Sequence, residues 1–241
     1  LKGNIMSKYS RLFTYGCSFT HYEYETDVAV SSLSQTIFDE DTEIPRLGEL
    51  RNITNYVRVI QKCWPEYLGE ILETPVVNHG QDGTSNEHII QKIIDDYDLL
   101  SSSKDGLVVI GMTEITRNLL NGKMIRDYDP RTKRMVYRFY TQIITMQSVL
   151  EKIGIPYKIF AALNPLPNIF DDMEFIKHVM NHPRFDTVDN GTLIGFPFMK
   201  EVGGFSLQSW NKKNDKSYHT SDAHPTSKAH KEFAKILGNE I

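Results

Sequence analysis

Four short apolar runs, near residues 11–15, 75–79, 107–111 and 157–162, alternate with stretches whose apolar residues recur at helical spacing. A run that is apolar on nearly every position, not every second one, is buried on both faces, and strands of that kind belong to parallel sheets covered by helices on each side. The chain has 241 residues, 40% of them hydrophobic, which is enough for one sizeable α/β domain and makes two small domains the poorer division. No linker interrupts the pattern and no internal repeat is visible.

The helical stretches carry their own start and stop signals. Pro65 opens a helix through Ile71 from a favoured first-turn position. Thr84-x-x-Glu87 reads as a capping box for the next helix, with Ile89, Ile90, Ile93, Ile94 and Tyr97 on one face. Between about 134 and 153, Tyr137, Tyr140, Ile144, Gln147 and Leu150 follow one side, and Gly154 with Pro156 ends the helix before the fourth strand. Thr226 caps the last helix, where Ala229, Phe233, Ile236 and Leu237 are apolar and Gly238 is expected beyond the end.

The segment from Phe13 to His21 (FTYGCSFTH) runs the first strand straight into Gly16-Cys17-Ser18. A serine at the carboxyl end of a buried strand, on a turn that glycine makes without a Cβ clash, is exposed as a nucleophile can be. The plain alternative is a strand-to-loop turn with no chemistry. Three further segments follow: Val76–Asn86, a strand with a two-glycine turn; Leu107–Arg117, a strand ending in a polar loop; and Ser221-Asp-Ala-His224-Pro-Thr, a histidine beside an acid just before a helix.

Nucleophile, glycine turn, polar loop and late histidine, in this order, resemble the four sequence blocks of the SGNH (GDSL-type) hydrolases, over about residues 10–115 and 220–238. The resemblance implies a single SGNH-hydrolase-like domain over 6–241: a three-layer α/β/α sandwich with a parallel, flavodoxin-like sheet and its site at the carboxyl ends of the strands. It also implies roles. Ser18 attacks an ester carbonyl, and His224 takes its proton and returns it to the leaving alcohol. The oxyanion is received by the backbone N–H groups of Ser18 and Gly83 and by a side chain of the third block. No cofactor and no metal is implied.

The chain departs from the family in three places. The third block, usually Gly-x-Asn-Asp, reads Gly111-Met-Thr113-Glu114, so a threonine stands where an amide donor is expected; one well-placed oxyanion donor is worth on the order of 3 kcal/mol. Arg117, and on the second strand Asn78, are further candidates for substrate contact, Arg117 by its positive potential; a surface arginine is the bland reading. The first block has Cys17 in place of the usual acid. Cys17 is an alternative thiol nucleophile, but strand alternation turns it away from Ser18. In the last block the usual acid position holds Ser221, and Asp222 stands two residues before the histidine. Either Asp222 completes a triad or the site is a dyad.

Other constellations lack their partners. His178-x-x-x-His182 has neither the glutamate nor the third ligand of a zinc protease, and Pro183 ends any helix there. The acidic run 39–43 lacks calcium-loop spacing, and the 78–83 turn lacks the P-loop lysine. A net charge of −4 gives no basic footprint for nucleic acid. Two cysteines, Cys17 and Cys63, make no disulfide framework. No apolar run approaches 18 residues and no signal-peptide core is visible, so a soluble protein without membrane contact is expected, with Met6 as the native start.

Two long segments, 22–55 and 164–218, are insertions of the kind used as lids, binding loops or partner contacts. Their aromatic residues (Tyr22, Tyr24, Phe196, Phe198, Trp210) suit a sugar better than a long acyl chain, so removal of O-acetyl or other short acyl groups from a carbohydrate is the expected reaction. The opening block also resembles bacteriophage proteins of this family, which leaves a virion or tail component, bound to other virion proteins or to copies of itself, as the competing expectation.

Overall fold

In a computed structural model of the chain, residues 8–20, 26–29, 56–59, 62–120, 123–126, 133–165, 173–214 and 224–241 are described. Five parallel strands form the central sheet: β1 (Leu12–Gly16), β2 (Val76–Gly80), β3 (Leu107–Met112), β4 (Tyr157–Ala161) and the two-residue β5 (Leu193–Ile194). Their spatial order is β2-β1-β3-β4-β5, the doubly wound 2-1-3-4-5 arrangement in which β1 and β3 flank the point where the winding reverses. Two small antiparallel pairs, Thr26–Ala29 with Tyr56–Val59 and Arg117–Leu120 with Lys123–Arg126, lie outside this sheet.

Strand side chains alternate between two cores. Phe13, Tyr15, Val108, Ile110, Met112 and Ile159 pack on one face against α2 (Asn86–Asp95), α4 (Lys133–Ile153) and α5 (Met173–Met180). Leu12, Leu107, Val109 and Phe160 pack on the other against α1 (Trp64–Ile71), α6 (Leu207–Lys213) and α7 (Ser227–Asn239). The result is the three-layer α/β/α architecture that the unbroken apolar runs imply. A fully buried Leu, Ile or Phe contributes about 1.5–3 kcal/mol, and Trp64, set edge-on to Phe160 at 5.1 Å, locks α1 to the sheet. Among the described residues no helix is long and apolar enough to cross a membrane.

Local signals were off by a residue or a face in several places. Ser85, not Thr84, caps α2 through the His88 N–H, and Glu87 turns outward to Arg138 instead of closing a capping box. Helix α2 ends at Asp95, and the short α3 (Tyr97–Ser101) begins anew, which leaves Ile94 and Tyr97 exposed. Tyr137 is likewise exposed while Tyr140 is buried. Thr226 caps α7 as expected, but the helix runs through Gly238 to Asn239.

Segment 164–218 is not a detached excursion where it is described. It supplies β5, and Val188, Leu193, Phe198, Met199 and Leu207 are buried in the two cores. The first insertion, 22–55, lies outside the described residues except for 26–29.

Candidate active site

Three adjacent strands carry a glycine at the same level near their carboxyl ends, because Gly16 is in register with Gly80 on one side and Gly111 on the other. A Cβ on Gly16 would stand 2.0 Å from Thr20 Oγ1 and 2.9 Å from the Gly111 carbonyl oxygen. The strand therefore needs glycine there for Cys17–Thr20 to fold back over its end, closed by the Thr20 N–H on the Cys17 carbonyl at 2.8 Å.

That turn presents Ser18, partly exposed, with its Oγ 3.2 Å from His224 Nε2. His224 is held just ahead of the capped N-terminus of α7, with its ring tilted against the buried Phe19 at 5.0 Å. Strand alternation does separate the two neighbouring nucleophile candidates. Cys17 is fully buried in the α1/α7 core, and burial pushes its thiol up, outweighing backbone hydrogen bonding at Phe19, the charge of Arg117 and contact with Thr113. His230, on α7 behind the site, is fully buried and pushed down to about 3 by burial, with the charge of His224 as the lesser cause.

Gly83 lies in the turn between β2 and α2 with φ +65° and open space where a side chain would stand, so a larger residue would be strained by the backbone alone. The third-block loop is held from beneath. Asn86, fully buried at the start of α2, donates to the Thr113 carbonyl at 3.0 Å and accepts from the Thr113 N–H at 2.9 Å. The Thr113 side chain is fully buried, and its hydroxyl reaches no oxygen or nitrogen partner among the described residues; the polar group beside it is the Cys17 thiol. Arg117 is not a surface arginine. It is 9% exposed, its Nε bonds Glu114 Oε1 at 2.8 Å, and Arg138 holds its carbonyl at 3.1 Å.

Asn78 is held by four hydrogen bonds within the fold. Its Nδ2 donates to the Thr20 carbonyl at 2.8 Å and to Glu66 Oε1 at 3.3 Å, and its Oδ1 accepts from Thr14 Oγ1 at 3.1 Å and the Gly80 N–H at 2.9 Å. An amide has two donors and two acceptor lone pairs, so its capacity is filled. Asp222, Tyr22 and Tyr24 lie outside the described residues. The aromatics of the second insertion turn inward: Phe198 is in the core, Phe196 packs on it at 5.5 Å, and Trp210 packs on Phe233 at 5.6 Å. His182 stacks on Tyr140 at 5.0 Å, and its Nδ1 accepts the Arg184 N–H, which is a packing role.

Asn86, Glu66 and Thr20 were missed by sequence reasoning. Each acts through a partner far away in the chain or through a backbone group, and neither leaves a local pattern. Beside the glycine ends a cavity of about 250 Å³ is lined by Tyr15, His79, Gln81, Thr84, His88 and Lys92, among others.

No family model matches the chain, and no curated protein matches it. Solved structures do. The chain is similar to a lipase from a goat rumen metagenome (12% identity, 95% of this chain and 96% of that one, TM-score 0.49). It is also similar to an acetyl xylan esterase from Geobacillus stearothermophilus (13%, 96% and 94%, 0.47) and to a member of the lipolytic G-D-S-L family from Veillonella parvula (12%, 95% and 94%, 0.46). Likeness at this level leaves the activity of this chain to its own site.

Proposed function

We propose that the chain is a serine ester hydrolase of SGNH type, with Ser18 as nucleophile and His224 as general base and acid. The observation that carries this reading is the 3.2 Å approach of Ser18 Oγ to His224 Nε2 at the carboxyl end of β1. Serine is a weak nucleophile until a base accepts its proton, and a neutral imidazole at hydrogen-bond distance is that base. His224 takes the proton as Oγ bonds to the ester carbon, then gives it to the leaving alcohol. Water, deprotonated by the same imidazole, cleaves the acyl-enzyme and regenerates Ser18.

The tetrahedral oxyanion is received by the N–H groups of Ser18 and Gly83. A third contribution from Thr113 requires its hydroxyl to leave its buried position, so the reading rests on the two amides. Asp222 is the proposed partner of His224. A short acyl group on a polar, hydroxylated alcohol such as a carbohydrate is the proposed substrate class. Its support is the polar edge of the turn after β2, where Gln81 and His88 stand beside the Ser18 turn; the cavity of about 250 Å³ there is lined by neither Ser18 nor His224 and does not set the acyl length. A panel of aryl esters from acetyl to long-chain, followed by acetylated oligosaccharides, tests both statements. Turnover that rises with chain length would overturn the short-acyl assignment, and no turnover of any ester would overturn the enzyme itself.

A further inference from the structure

Two amides on different turns have to meet one oxyanion. The Ser18 turn and the Gly80–Gly83 turn leave the sheet together, and among the described residues their last shared backbone link is the Gln81 N–H on the Gly16 carbonyl at 2.9 Å. Beyond it the spacing of the two turns depends on side chains. Asn78 reaches both, holding Thr20, two residues after Ser18, through its carbonyl, and Gly80, three residues before Gly83, through its N–H. Its other two bonds anchor it below, to the buried Thr14 hydroxyl of β1 and to Glu66. Glu66 is itself fixed, since its other oxygen accepts the Cys63 N–H at the start of α1 at 3.0 Å.

Resting on the serine-hydrolase reading, we propose that Asn78 is a positioning residue that sets the distance between the nucleophile turn and the oxyanion-donating glycine turn, with Glu66 as its anchor. It does not touch substrate. Its effect is on the transition state, because a donor misplaced by about 1 Å costs on the order of 100-fold in rate, whereas ground-state binding at the rest of the site is unaltered.

The test compares ester kinetics and fluorophosphonate labelling of Ser18 in four proteins at a temperature where circular dichroism shows each folded. Wild type turns over ester and is labelled. Asn78→Ala is expected to lower kcat about 100-fold with KM within about threefold. Asn78→Asp keeps the acceptor for Gly80 and Thr14 but loses the donor to Thr20 and sets a carboxylate against Glu66. It is expected to be slowed as well, and still reports if the alanine variant fails to fold. The double variant Asn78→Asp with Glu66→Gln returns an amide donor to the pair from the other side and is expected to regain about tenfold in kcat over Asn78→Asp alone. A folded Asn78 variant with wild-type kcat, a loss carried wholly by KM, or a double variant no faster than Asn78→Asp overturns the positioning role while the hydrolase reading stands. Wild type that neither turns over ester nor takes the label overturns the hydrolase reading, and this inference with it.

Discussion

Asn86 grips the peptide of Thr113 from both sides, its amide nitrogen on the carbonyl at 3.0 Å and its amide oxygen on the N–H at 2.9 Å. The loop after β3 is thus fixed through its backbone, and the buried Thr113 hydroxyl has only the Cys17 thiol beside it among the described residues. Thr113→Val removes that hydroxyl with little change of shape. It is expected to leave kcat within about twofold and to change stability by less than about 1 kcal/mol, since the Cys17 thiol is a weak partner for the buried hydroxyl. A hundredfold fall in kcat would instead make the hydroxyl an oxyanion donor.

Asn86→Ala leaves two buried backbone groups of Thr113 unpaired. At about 1–3 kcal/mol for each, the loss is expected to be several kcal/mol, read as a lower denaturation midpoint in urea with an unchanged slope. A loss below about 1 kcal/mol would mean that the loop finds other partners.

His224→Ala is expected to abolish ester turnover and leave the fold intact, because Thr226 still caps α7 through the Ala229 N–H. Thr226→Ala is the control; it should cost about 1 kcal/mol of stability. Asp222→Asn in the same assay separates a triad, with a loss on the order of 10⁴-fold, from a dyad, with a far smaller one.

A small fluorophosphonate is expected to modify Ser18 stoichiometrically and to spare Cys17, whose thiol is fully buried and held protonated by that burial. Peptide mapping decides the site, and a label on Cys17 would reverse the assignment.

His230 makes stability fall with acid. Its imidazole is pushed from the ordinary 6.5 down to about 3 in the folded chain, so below pH 6.5 the unfolded chain takes up a proton that the folded one refuses. The loss begins near pH 6.5, grows as pH falls and levels off below about 3. His230→Leu is expected to flatten this part of the profile in chemical denaturation between pH 7 and 4. An unchanged slope would place the acid sensitivity elsewhere.

The largely apolar runs at Leu12, Leu107 and Ile159 announced a parallel sheet because a strand covered on both faces leaves little polar alternation in its own residues. The meeting of Ser18 and His224 was foreshadowed for a related reason: a glycine turn after a strand and a capped helix start are local patterns, and they could be placed in order before their contact was known. Thr84, Tyr97 and Gly238 were misplaced by a residue or a face, since local propensity is weak against the packing that fixes where a helix starts and stops. The strand β5 was missed because two residues cannot show a period, and Phe198 was taken for a surface aromatic although it sits in the core. Asn78 was a candidate substrate contact and Thr113 a candidate oxyanion donor from their places in the sequence blocks. What these groups already hold only the tertiary structure decided, because whether an amide or a hydroxyl is free depends on which distant groups already occupy its donors and lone pairs, and Glu66, Thr20 and Asn86 reach those positions through space and not along the chain.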